Sequence, residues 1–145
     1  MEEQQQPPQI EPIPNLVLLK VLCVFTFVGS GLGLFSYGLI GLVHNYFSEN
    51  LTLIPDEQNR ELIGMLLSAG RTFFFLNAIL YAVSLFGAVL LWKLKKAGFH
   101  LYTASQMVLL ILPLLYIKAF PANVFSVFLT LLFVLGYYGF LKYMK

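Results

Sequence analysis

The sequence predicts an all-α membrane protein: a four-transmembrane-helix bundle with antiparallel neighbours and a short interfacial helix between its first two spans. Three observations predict it. Hydrophobic residues make up 59% of the chain and charged ones 11%, against roughly 45–50% and about 25% in soluble domains. The apolar residues gather in runs of about 18 or more, the length a bilayer crossing requires. Between the runs lie short polar stretches carrying lysine, arginine or proline.

Residues 1–15, MEEQQQPPQIEPIPN, combine Gln, Glu and four prolines without apolar periodicity. Such a segment has nothing to bury, and a disordered Pro/Gln-rich cytoplasmic tail is expected. The first span is predicted over about 16–43. Its glycines and serines crowd one half, and Gly29 with Gly33 forms a small-xxx-small pair that permits close helix packing. The acidic start and the length of the apolar run argue for an uncleaved helix rather than a signal peptide.

From His44 to Arg71 the chain turns polar, and Ile54-Pro55-Asp56-Glu57 has the marks of a helix start. An unbroken helix from Asp56 to Leu94 would be about 58 Å long at 1.5 Å per residue, about twice the hydrocarbon thickness. Either it projects from the membrane, or it breaks near Ser68-Ala69-Gly70 after a short outer helix at about 55–69. The break is the preferred reading. The second span then runs over about 72–92 and the third over about 99–117, joined by a tight turn in which Gly98 is expected to allow the reversal. Pro113 should kink the third span. Lys118, Phe120 and Pro121 mark the next turn, and the last span is expected over about 122–143.

Trp92, Lys93, Lys95 and Lys96 form an aromatic and basic edge suited to lipid headgroups. Placing both termini in the cytoplasm puts six basic residues inside (Lys20, Lys93, Lys95, Lys96, Lys142, Lys145) against three outside (Arg60, Arg71, Lys118). Both termini are therefore expected to be cytoplasmic, in a multi-pass protein of the inner membrane.

The net charge of +2 and the scatter of the basic residues leave no stripe for nucleic acid. The single cysteine, Cys23, has no intrachain partner and reads as a small buried hydrophobe. His44 and His100 fall at opposite faces of this topology, no serine has a His and an acid in a shared setting, and Glu57 with Glu61 reads as a solvated face. No catalytic, cofactor or metal residue is expected, and the chain is not predicted to be an enzyme. The polar residues at depth are Asn77 and Ser84 on the second span and Thr103, Ser105 and Gln106 on the third, with Thr130 on the fourth. They read mainly as interhelical contacts, and less as a polar solute site.

Two stretches, LKVLCVFTFVGSGLGL in the first span and LWKLKKAGFHLYTASQ across the second turn, resemble small uncharacterised four-span integral membrane proteins of bacteria, of the Bacteroidetes type. The resemblance implies a bacterial inner membrane and brings no activity with it. The functional expectation is a non-enzymatic membrane protein, structural or accessory, whose partners are the lipid bilayer and either further copies of itself or another membrane protein. The alternative is an oligomeric pathway for a small solute or ion.

Overall fold

A computed structural model describes residues 16–117 and 124–145. The chain forms helix α1 (Leu16–Glu49), a 3-10 turn (Leu51–Leu53), α2 (Glu57–Leu67), α3 (Gly70–Trp92), α4 (Lys96–Tyr116), α5 (Val124–Tyr138) and a second 3-10 turn (Leu141–Tyr143). There is no strand among the described residues. Four stretches are long and apolar enough to cross a membrane: Leu16–Glu49, Gly70–Trp92, Lys96–Tyr116 and Val124–Tyr143. The protein is a multi-pass helical bundle. The expected tail at 1–15 and the turn at Lys118–Pro121 lie outside the described residues.

Helix α1 is longer than the expected 16–43, with 34 residues and a length of about 51 Å. The polar residues after Val43 do not end it, because a helical backbone satisfies its own hydrogen bonds in water as well as in lipid. It stops where side chains take over its last carbonyls. Ser48 Oγ donates to the His44 carbonyl at 2.9 Å, and Asn50 Nδ2 to the Tyr46 carbonyl at 2.8 Å.

The expected break before the second span is present. Asp56 caps α2 by accepting from the Gln58 amide at 3.2 Å, so Pro55 lies before the cap rather than in the first turn. Gly70 follows at φ +80°, a conformation that side chains with a Cβ resist, and it redirects the chain into α3.

The reversal between α3 and α4 corrects one expectation. Gly98 does not make the turn. It lies inside α4, and the turn is made at Lys93–Lys95 by Leu94, at φ 58°. Gly98 instead lets α3 and α4 touch backbone to backbone: a Cβ there would meet Leu91 N at 2.6 Å and the Gly87 carbonyl oxygen at 2.7 Å. Gly87 is the matching gap, since its Cβ would meet Tyr102 N at 2.9 Å. Pro113 sits inside α4, one turn before its end, and withholds an N–H from the Leu109 carbonyl.

Helix α3 packs against both α1 and α4, and α5 lies along α4 and α1. Burial follows this order: 39% of the most apolar window of α3 is inside the protein, against 11% for α5. Two apolar clusters close the ends of the bundle. One gathers Leu19 and Cys23 of α1, Leu91 of α3, Tyr102 of α4 and Tyr137 of α5 with Met144. The other holds Leu67, Phe73, Phe74 and Ile117. At the first end the last residues pair with the α3–α4 turn: Lys145 N donates to the Leu94 carbonyl at 2.8 Å, and Lys96 N to the Lys145 carbonyl at 2.9 Å. The start of α1, the lysine turn and Lys145 therefore share one end.

Candidate functional site

Alongside the first apolar cluster, polar and small side chains line up in helical stripes with an occasional aromatic ring. On α1 the stripe is Thr26, Ser30, Gly33 and Tyr37; on α3 it is Asn77, Tyr81 and Ser84; on α5 it is Ser126, Thr130, Phe133 and Tyr137. Each follows the i, i+4, i+7 spacing that keeps residues on one helix face. Thr26, Ser30 and Tyr37, Asn77 and Tyr81, and Ser126, Thr130 and Phe133 line a cavity of about 420 Å³ together with Tyr102 and Gln106 of α4, while Gly33, Ser84 and Tyr137 lie outside that lining. No charged residue lines it among the described residues.

Two hydrogen-bonded groups tie the helices together here. Ser84 Oγ is shared between Ser30 Oγ and Gln106 Nε2, each at 3.0 Å, which joins α1, α3 and α4. Thr26 Oγ1 and Tyr137 Oη meet at 2.7 Å and join α1 to α5. In hydrocarbon such bonds replace otherwise unsatisfied polar groups and contribute about 0.6–2 kcal/mol each.

Of the six polar residues singled out in the sequence, Asn77, Ser84, Gln106 and Thr130 belong to this region. Asn77 and Gln106 do not bond each other. Asn77 is 2% exposed, lines the cavity and donates from Nδ2 to its own helix at the Phe73 carbonyl, 2.8 Å away. Ser105 turns to the Tyr102 carbonyl at 2.8 Å and serves α4 alone. Thr103 Oγ1 is buried and has no hydrogen-bond partner among the described residues.

The Gly29 and Gly33 pair is divided by its surroundings. A Cβ at Gly33 would strike the Tyr81 ring at 2.6 Å, whereas one at Gly29 has nothing within 4 Å. Gly33 thus seats Tyr81, whose ring stacks on Tyr37 with centroids 5.5 Å apart, and Gly29 makes no close helix contact.

Trp92 is half-exposed beside Phe27, ring centroids 6.0 Å apart, and Lys93, Lys95 and Lys96 are exposed around the turn. At the other end Arg71 Nε donates to the Gly41 carbonyl at 3.0 Å, with its guanidinium over the Phe75 ring. His44 Nε2 donates to the Leu67 carbonyl at 3.0 Å. Both residues fasten α1 to the α2–α3 break. No group of three or more His, Cys, Asp or Glu side chains that could hold a metal occurs among the described residues.

Tyr81, Tyr102 and Tyr137 were missed in the sequence, where tyrosine in an apolar run reads as an interfacial residue. The signal that finds them is the stripe: each recurs with Asn, Ser or Thr at helical spacing. Gly87 was also missed, because its partner Gly98 lies across a turn and not on the same helix. No family model, curated protein or solved structure matches the chain.

Proposed function

We propose that the protein is a non-enzymatic integral membrane protein that acts as an accessory or partner-binding subunit. The observation that carries this reading is the contrast between interior and surface. Thr26 with Tyr137, and Ser84 with Ser30 and Gln106, join the helices to one another at depth. Helix α5 leaves an apolar face outward, with Phe125, Phe128, Leu135 and Tyr138 exposed along it. Helices associate within lipid by close van der Waals packing, and this face has the composition to take a helix of another membrane protein or of a second copy.

Placement in a bacterial inner membrane, of the Bacteroidetes type, follows the resemblance of the first span and of the α3–α4 turn region. Cytoplasmic termini follow the lysine count. The shared end occupied by the start of α1, the lysine turn and Lys145 supports that sidedness. Crosslinking a tagged copy in native membranes, then mild extraction and mass spectrometry, tests the reading. A stoichiometric foreign membrane protein is the expected result; recovery of the tagged chain without any partner would overturn it.

The cavity favours a second reading, a small-solute pathway formed in an oligomer. It would place Asn77 and Gln106 on the path. Proteoliposome flux that survives Asn77→Leu and Gln106→Leu unchanged would count against it.

A further inference from the structure

We propose that the cavity between α1, α3, α4 and α5 binds a neutral, hydroxyl-headed lipid: a long-chain alcohol or acylglycerol entering sideways from the bilayer. The inference rests on neither reading above, since it concerns one subunit and needs no transport.

The chemistry of the walls selects the ligand. The volume of about 420 Å³ falls in the range of small-molecule sites, roughly 300–1,000 Å³. With no charge among the described lining residues, an ionic head would enter without a counter-charge, which low-dielectric surroundings penalise heavily.

Asn77 then decides which neutral head fits. Its Nδ2 is committed to the Phe73 carbonyl. Because a carbonyl only accepts, that bond fixes the amide orientation and leaves Oδ1 as the free end. Among the described residues no hydrogen bond reaches Oδ1, although Asn77 is 2% exposed. Thr103 Oγ1, not Asn77 Oδ1, is the buried side-chain atom without a partner among the described residues; Oδ1 opens onto the cavity, where an arriving O–H can donate to it. Pro113, in the same wall, supplies no N–H to the Leu109 carbonyl. The hydroxyls of Tyr81, Ser126 and Thr130 line the same wall, so the head that uses both the Asn77 acceptor and these groups is one that donates and accepts, a hydroxyl.

The route in is lateral. Phe25 of α1, Leu114 of α4 and Val127 of α5 line the cavity and are also exposed on the outside of the bundle. Phe25 stands within its span, and Leu114 and Val127 in the last and first turns of theirs, so the opening lies on the lipid-facing side of the bundle. The occupant therefore has an apolar body that can reach this opening from the lipid phase.

The test uses the full chain in phosphatidylcholine vesicles with a diazirine-bearing hexadecanol, beside a diazirine-bearing hexadecane. The alcohol should label peptides of α4 and α5 around Leu109–Leu114 and Ser126–Phe133, and unlabelled hexadecanol should compete while hexadecane should not. Asn77→Leu should lower this labelling about five-fold, the worth of one net hydrogen bond. Thr130→Phe fills the cavity from the least buried helix. It should abolish the labelling with circular dichroism and thermal unfolding unchanged, and it decides the matter if Asn77→Leu does not fold. Three results would overturn the proposal: equal labelling by hydrocarbon and alcohol, labelling spread evenly over the exposed faces without competition, or labelling indifferent to both substitutions.

Discussion

Gly98 and Gly29 look alike in the sequence, and the structure gives them opposite roles. A methyl group at Gly98 runs into backbone atoms of α3, which cannot rotate away, so Gly98→Ala must part the two helices. Overpacking of this kind costs about 1–3 kcal/mol. Gly29→Ala meets open space and gains helix propensity, worth up to about 1 kcal/mol. Thermal unfolding in detergent should therefore show a lower midpoint for Gly98→Ala and an equal or higher one for Gly29→Ala. Ser84→Ala removes the hydroxyl that Ser30 and Gln106 share, and the same measurement should register a loss of about 1–2 kcal/mol. At this scale the sequence was legible in part. Asn77, Ser84 and Gln106 stood out as polar atoms in apolar runs. What Ser105 and Thr103 do depends on which way each helix is rotated, and hydropathy does not encode rotation when nearly every neighbour is apolar.

The elements were legible where a breaker or a cap marks them and blurred where only polarity does. Gly70 is the clear case: its positive φ separates α2 from α3, and the segment was too long to cross unbroken. Gly70→Ala should lose about 1–2 kcal/mol through backbone strain alone, because its Cβ would meet nothing. Asn at the same position, which tolerates the left-handed region, should restore most of the loss in the same unfolding experiment. Helix α1 continues past the end of the expected span at Val43 because lipid solubility, not helix stability, changes there. The start of α4 was misplaced for a related reason. Lysines and a glycine together suggest a turn, yet here one leucine in a left-handed conformation makes it, and the helix begins while the chain is still basic. Leucine carries no turn signal, so only the three-dimensional arrangement reveals it.

At the scale of the whole molecule, four spans and an even crossing number bring the lysine-rich ends together. The bundle is closed at each end by an apolar cluster, and between them lies a neutral cavity. The number of spans was fully legible, because long apolar runs have few alternatives to crossing a bilayer. The cavity was not, since it depends on how α5 settles against α4 and α1, and α5 is the helix with the least of its surface inside. The central claim is the threading, and cysteine accessibility tests it most directly. The native Cys23 is buried, and Cys23→Ala supplies a background for single cysteines at Glu57→Cys on α2, Lys95→Cys in the α3–α4 turn and Lys142→Cys after α5. In intact cells a membrane-impermeant maleimide should modify the cysteine at position 57, and should reach 95 and 142 only after permeabilisation. Modification of 57 and 95 from the same side would contradict the four-span threading; modification of 95 and 142 from outside, with 57 protected, would contradict the orientation.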